Sequence, residues 1–338
     1  MENDSAPIKL IVIVGPTAVG KTHIALELAS RIGGEIVSAD SMQIYKGMDI
    51  GTAKPSAEER QRAVHHMIDF IEPDCDFSAA EYQKMAREKI AEIAGRGKNP
   101  IVAGGTGLYV NAILFDMDFS ASPKNPQLRQ GYMTEAEYSG SEALHRRLES
   151  LDPDAAERIH PNNVKKIIRA LEILESGEPG GRRVVPFSES FKPFAGYIPR
   201  IIGLNRERGE LYAKIDSRVD ALISAGLVEE VRGLYERGVF GGVQPDGIAG
   251  AGNGVGSEWV ADANSISAKG IGYKELIGYL RGEYDLEHAI YLIKRNSRRY
   301  AKRQLTWFRR YPDIRWFDLN GDGESEEALC EIVSYARG

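Results

Sequence analysis

Residues 8–14, IKLIVIV, form a short run rich in β-branched residues, the pattern of a parallel strand buried on both faces. A glycine-rich turn follows. THIALELASRI (22–32) then places Ile24, Leu28 and Ile32 at helical spacing until Gly33-Gly34 stops it. EIVSA (35–39) returns to an apolar strand and completes one βαβ unit. Ser78-Ala79-Ala80-Glu81 is a capping box that predicts a helix to about Ala94, and Gly95 to Asn99 turns into the strand PIVAGG (100–105). Alternation of this kind predicts an α/β fold, a parallel sheet covered by helices.

The pattern changes near residue 116. From there to about 177 only helices are predicted, over Ser141–Ser150, Pro153–Ile159 and Val164–Ser176, punctuated by Pro153, Pro161 and Gly177. IIGLN (201–205) restores a short strand. Helices resume over 210–226, 227–238 and 273–282, and a long one runs from about Asp285 to Arg310. The expected organisation is therefore a core begun by 1–116, an all-helical insertion over 117–190, and core completion with C-terminal helices over 191–338. The glycine-rich stretch 241–257, GGVQPDGIAGAGNGVGS, is expected to be a mobile loop.

Composition narrows the class without choosing the chemistry. The 338 residues are 42% hydrophobic and 27% charged, ordinary values for a soluble protein with a large core. A formal charge of −6 argues against a globally basic nucleic-acid binder, though not against a local basic surface. Cys75 and Cys330 form neither a metal-spaced cluster nor a disulfide framework, which suits a reducing cytosol. The first apolar run is too short to span a bilayer, so a soluble cytoplasmic protein with no membrane contact is expected.

Candidate chemistry begins at GPTAVGKT (15–22), which fits G-x-x-x-x-G-K-[ST] between a strand and a helix. Gly15, Pro16, Thr17, Ala18, Val19 and Gly20 would curl backbone N–H groups around phosphate oxygens. Lys21 adds a full charge, and Thr22 can offer its hydroxyl to Mg²⁺. The signal is specific for phosphates but not for ATP. No acid ends the strand PIVAGG, where a nucleotide hydrolase would hold its magnesium; Gly104-Gly105-Thr106 stands there instead. The two glycines suggest close backbone approach to a ligand, with the Thr106 hydroxyl pointing at it. Asp40, at the end of EIVSAD, has three readings: a cap, a metal ligand, or a base that takes a proton from substrate.

KRNSRRYAKRQLTWFRR (294–310) contains no acid and interleaves Tyr300, Trp307 and Phe308 with Arg295, Arg298, Arg299, Lys302 and Arg303. Such a stripe suits phosphodiester contacts with aromatics available for stacking. In the insertion, NNVKKIIRALEIL turns Ile167, Ile168, Leu171 and Leu174 toward a core and leaves Lys165, Lys166 and Arg169 as a second basic strip.

Eight stretches together resemble the bacterial tRNA dimethylallyltransferase (tRNA isopentenyltransferase) family. They are GPTAVGKT, SADSMQIYKGMDIGTAKP, HHMIDFIEP, FSAAEYQ, PIVAGGTGLYV, ALEI, IGYKEL and YAKRQLTWFR, in the family's order over most of the chain. The resemblance implies a P-loop NTPase-like core with a helical, tRNA-binding insertion. It also implies transfer of a dimethylallyl group from its diphosphate to N6 of the adenosine 3′ to the anticodon, by a monomer. Asp40 would take the N6 proton, with Ser41, Met42 and Gln43 at the tRNA contact and Thr106 near the substrates. Residues Thr17 to Thr22 would meet the diphosphate, with Arg218 of IDSRVDAL beside it and Mg²⁺ on Thr22. The basic helix and the insertion would hold the anticodon stem-loop. His65 and His66 are expected to be structural. At Lys166 the family usually has arginine, and lysine there gives up a bidentate phosphate grip. Two other classes share the phosphate loop: a small-metabolite kinase, and an RNA-binding module switched by nucleotide.

Overall fold

The computed structural model describes residues 6–117, 119, 125–175, 184, 192–240, 266–319, 321 and 326–338. The predicted loop 241–257 and the predicted stop at Gly177 lie outside them. The chain divides into two compact units, one of Met1–Ile113 with Ala195–Gly338 and one of Leu114–Phe194.

The first unit opens with β1 (Ile8–Val14), α1 (Lys21–Ile32) and β2 (Gly34–Ser38). It continues through α2 (Ala57–Arg62), β3 (His65–His66), α3 (Ala79–Gly95), β4 (Asn99–Gly104) and α4 (Gly107–Leu114). In the second unit lie α5 (Pro126–Ser139), α6 (Ser141–Leu151), α7 (Pro153–Arg158) and α8 (Val164–Glu175). The chain then returns as β5 (Tyr197–Asn205), α9 (Arg208–Ser224) and α10 (Leu227–Glu236). It ends with α11 (Tyr273–Leu280), α12 (Leu286–Phe308), β6 (Ile314–Asp318) and α13 (Glu326–Arg337).

All pairings in the six-stranded sheet are parallel, in the order β3-β2-β4-β1-β5-β6. β1 reads as doubly buried and is: Leu10, Val12, Ile13 and Val14 have no exposed surface. One sheet face gathers Ile11, Ile13, Ile36 and Ile202 with Ile24 and Leu28 of α1 and Ile332 of α13. α3 packs on β2 and β4. Its capping box forms as predicted, with Ser78 Oγ accepting from Glu81 N at 3.2 Å and Glu81 Oε2 accepting from Ser78 N at 2.8 Å. Gly33 closes α1 in the left-handed conformation, at φ 64°.

The second unit has its own core of Tyr132, Leu144, Leu148, Ile167, Ile168 and Leu171. Its first helix, α5, is absent from the sequence reading because its apolar positions make only a weak stripe. It is set locally instead, by Pro126 at its first position and by Asn125 Oδ1 accepting from Leu128 N at 3.0 Å. No helix among the described residues is long and apolar enough to cross a membrane.

Candidate active site

The site grows from the carboxyl ends of β1, β2 and β4, where ligands of open parallel sheets bind. Register aligns these ends: Val14 pairs with Gly104 and Ser38 with Ala103. Beyond the last pairs, Ala39 N donates to Ala103 O at 2.9 Å and Thr106 N to Ala39 O at 3.0 Å. A Cβ on Gly104 would stand 2.2 Å from the Ala39 carbonyl oxygen, so only glycine permits this closeness. Two neighbouring clefts of about 530 and 320 Å³ open here, sharing Thr17, Ala18, Asp40, Thr52, Arg218 and Tyr300 in their linings.

The phosphate loop folds tightly. Gly20 lies at φ 110° and Ala18 at φ 62°, a left-handed conformation held without glycine. A Cβ on Gly15 would approach Leu204 O to 2.6 Å. Lys21 Nζ donates to the carbonyls of Gly15 at 3.0 Å and Pro16 at 2.8 Å. Burial, then the neighbouring Arg218 charge, lower its pKa to about 7, against an opposing pull from Asp40. Arg218 is itself lowered by burial, with Asp40 again opposing. Two cations therefore crowd one carboxylate. Arg218 reaches this place from α9, one turn after Lys214, which also lines the larger cleft.

Asp40 is both a turn residue and a cleft residue. Its Oδ1 accepts from Met42 N at 2.8 Å, a local turn of the kind that caps helices. The same carboxylate lines both clefts. The bond to Met42 N is a turn contact of the capping kind, made where no helix follows. Ser41 N donates to Thr106 Oγ1 at 3.0 Å, and that hydroxyl in turn donates to Ser41 Oγ at 3.3 Å. Gln43 accepts from Ser38 Oγ at 2.9 Å and donates to Thr52 O and Ala53 O at 3.3 and 3.2 Å. Its amide shapes the loop as well as the cleft wall.

Thr22 is exposed and lines the larger cleft. Among the described residues no group of three or more His, Cys, Asp or Glu side chains is placed to hold a metal. A hydroxyl from Thr22 with Asp40 in the same cleft does fit Mg²⁺ of the kind held by one carboxylate, substrate phosphates and water.

The basic stripe is divided. Lys294 and Arg298 pair with Asp220 and Asp216 of α9, and Arg295 is half-buried over the Tyr291 ring. Arg299, Lys302 and Arg303 are exposed, with Arg303 over the Tyr300 ring at 5.5 Å. In the second unit, Lys165 and Lys166 are exposed on α8, while Arg169 lies 3.5 Å from Glu172. His66 lies 2.7 Å from Glu35 Oε2, and His65 lines the larger cleft, its pKa lowered by burial.

The sequence offers Tyr300 only as an aromatic for stacking and singles out neither Gln304 nor Glu230. Tyr300 OH lies 3.5 Å from Gly105 O, and burial raises its pKa to about 12. Gln304 donates to Gly105 O at 3.0 Å and accepts from Thr17 N at 2.8 Å. Glu230 accepts from the N–H groups of Asp49, Ile50 and Gly51 at 2.8, 2.7 and 3.1 Å. Tyr300 and Gln304 sit one turn apart inside the basic stripe, and that spacing was the available signal.

Comparison with known proteins places this geometry. The family described as IPP transferase matches residues 43–311. The tRNA dimethylallyltransferase of Alkaliphilus metalliredigens (strain QYMF) is 49% identical over 96% of this chain and 97% of its own. The crystal structure of the tRNA isopentenylpyrophosphate transferase of Bacillus halodurans is 41% identical, with a TM-score of 0.68 over 98% of this chain and 96% of that one. A eukaryotic dimethylallyltransferase acting on tRNA shares 26% identity, with a TM-score of 0.74 over 98% of this chain and 77% of its own.

Proposed function

The chain belongs to the IPP transferase family, and from that premise we propose that it transfers a dimethylallyl group from dimethylallyl diphosphate to N6 of the adenosine 3′ to the anticodon in tRNA. The observation that carries the reading is the crowding of Lys21 and Arg218 beside the Asp40 carboxylate, under a phosphate loop. Two desolvated cations repel each other until an anion joins them. A diphosphate is such an anion, and it is more strongly charged as a leaving group than as an ester.

The exocyclic amine of adenine is a poor nucleophile, so alignment and leaving-group stabilisation carry most of the acceleration. As the bond from the allylic carbon to the diphosphate oxygen breaks, Lys21, Arg218 and the loop N–H groups take up the charge on oxygen. As the N6–carbon bond forms, the nitrogen loses a proton to Asp40. Diphosphate leaves, and N6-isopentenyladenosine remains in the RNA. Mg²⁺, held on the Thr22 hydroxyl, would add positive charge on the diphosphate side. The single-stranded anticodon loop offers its base for extrusion, and Arg299, Lys302, Arg303, Lys165 and Lys166 supply phosphate contacts. All groups assigned to the bond changes come from one compact unit of one chain, so the reaction as proposed needs no second copy, and a tRNA substrate places it in the cytoplasm.

Radiolabelled dimethylallyl diphosphate is incubated with unmodified tRNA, with and without ATP. Label enters RNA without ATP if the reading is right. Phosphate passing from ATP to a small molecule identifies a kinase, and tight RNA binding with neither product identifies a binding module.

A further inference from the structure

Gln304 is a buried polar side chain on α12, the helix that carries the exposed Arg299, Lys302 and Arg303, and both ends of its amide are spent inside the protein. Oε1 accepts from Thr17 N in the phosphate loop at 2.8 Å, and Nε2 donates to Gly105 O at the end of β4 at 3.0 Å. The orientation of the amide is not a free choice, since a backbone N–H only donates and a carbonyl only accepts. Gly105 is shaped for this contact: a Cβ there would stand 2.2 Å from Nε2. Lys302 and Arg303, immediately before Gln304, are exposed.

On the transferase reading, we infer that Gln304 is the positioning residue that sets the diphosphate cradle against the helix on which the RNA docks. It joins three pieces that must agree: the loop before Lys21, the glycine turn beside Thr106, and α12. A nucleophile brought in by RNA and a leaving group held by the loop react only when their atoms come within about 3–3.5 Å in line. The amide fixes that relation.

The test is transfer of label from dimethylallyl diphosphate to a tRNA anticodon stem-loop by wild type, Gln304→Met and Gln304→Glu. Wild-type transfer checks the underlying activity by itself. Gln304→Met makes neither bond and should lower kcat/KM for the diphosphate by up to ~10²-fold, the scale of a displacement near 1 Å, with KM for the RNA within about twofold. Gln304→Glu is more telling. Ionised, its carboxylate accepts from Thr17 N–H but presents no proton to Gly105 O. Protonated, it makes both bonds, and burial favours that form. Its activity relative to wild type should therefore recover as the pH falls from about 8 to about 6. Wild-type kcat/KM in Gln304→Met, or a flat Gln304→Glu ratio across pH, overturns the inference. Melting temperatures taken at each pH read the fold separately, and a ratio that merely followed them would assign Gln304 to the scaffold.

Discussion

Arg298 on α12 faces Asp216 on α9, its Nη1 lying 2.5 and 2.6 Å from the two carboxylate oxygens. One turn earlier, Lys294 repeats the contact with Asp220. A row of acids thus neutralises one side of the stripe and leaves Arg299, Lys302 and Arg303 for a polyanion. The pair is partly exposed, so Arg298→Ala should cost at most about 1 kcal/mol of stability. It should also leave the salt dependence of stem-loop binding unchanged. Arg303→Ala should reduce the slope of log affinity against log salt by roughly 0.7–0.9, one phosphate contact. Equal reductions from both variants would show that the Arg298–Asp216 pair opens when RNA binds.

Lys21 sets a pH dependence. Its pKa of about 7 in the free protein means that it is charged below that value and loses its charge above it. Affinity for inorganic pyrophosphate should therefore weaken as pH rises through 7, by up to about tenfold per pH unit. Lys21→Arg keeps its charge throughout, so the ratio of wild-type to variant affinity cancels the ligand's own ionisation. Arg218→Met removes the like charge that lowers Lys21 and should move the inflection upward. Calorimetric titration at several pH values reads all three proteins, and a constant wild-type ratio would remove Lys21 from the anion's charge balance.

Much of this was legible in the sequence because it rests on local signals. The doubly buried β1, the capping box at Ser78 and the phosphate loop each follow from a few adjacent residues. What escaped reading rests on distance. β3 is two residues long and exists only by pairing with Ile36 and Val37. β6 buries Phe317 alone among its five residues, too little for an alternating pattern to show. The division of the basic stripe depends on acids some 80 residues earlier in the chain, so eight cations in a row read as one surface. Gln304 and Glu230 carry no motif chemistry of their own; backbone groups brought to them by the fold define what they do.

Glu230 is the clearest of these. Its carboxylate accepts from three consecutive N–H groups at Asp49 to Gly51 and from Tyr273 OH at 2.6 Å. Gly51 lies under the Tyr273 ring, where a Cβ would come within 2.6 Å. This anchors the loop whose Thr52 and Ala53 carbonyls hold Gln43. Glu230→Ala strands several donors at once and should cost about 2–4 kcal/mol, while Tyr273→Phe, losing one bond, should cost about 1 kcal/mol. Denaturant unfolding measures both. If Glu230→Ala proved no worse than Tyr273→Phe, the three backbone contacts would be contributing nothing.

Asp40 combines a structural bond with a chemical role, and substitution can separate them. Asn keeps an acceptor for Met42 N–H and so preserves the turn, but it cannot take a proton. Ala loses both. If Asp40 is the base, Asp40→Asn and Asp40→Ala should lower kcat by a similar factor, about 10²–10⁴, with stem-loop affinity largely kept. If the turn alone matters, Asp40→Asn should remain active and only Asp40→Ala should fail. Single-turnover transfer at saturating RNA distinguishes the two, because it reads the bond-forming step apart from product release. Removing the Asp40 charge also takes away the anion that opposes the mutual repulsion of Lys21 and Arg218. At a pH well below 7, where Lys21 keeps its charge even without Asp40, both variants should therefore bind inorganic pyrophosphate more tightly than wild type while turning over more slowly, a pairing that a purely structural aspartate would not produce.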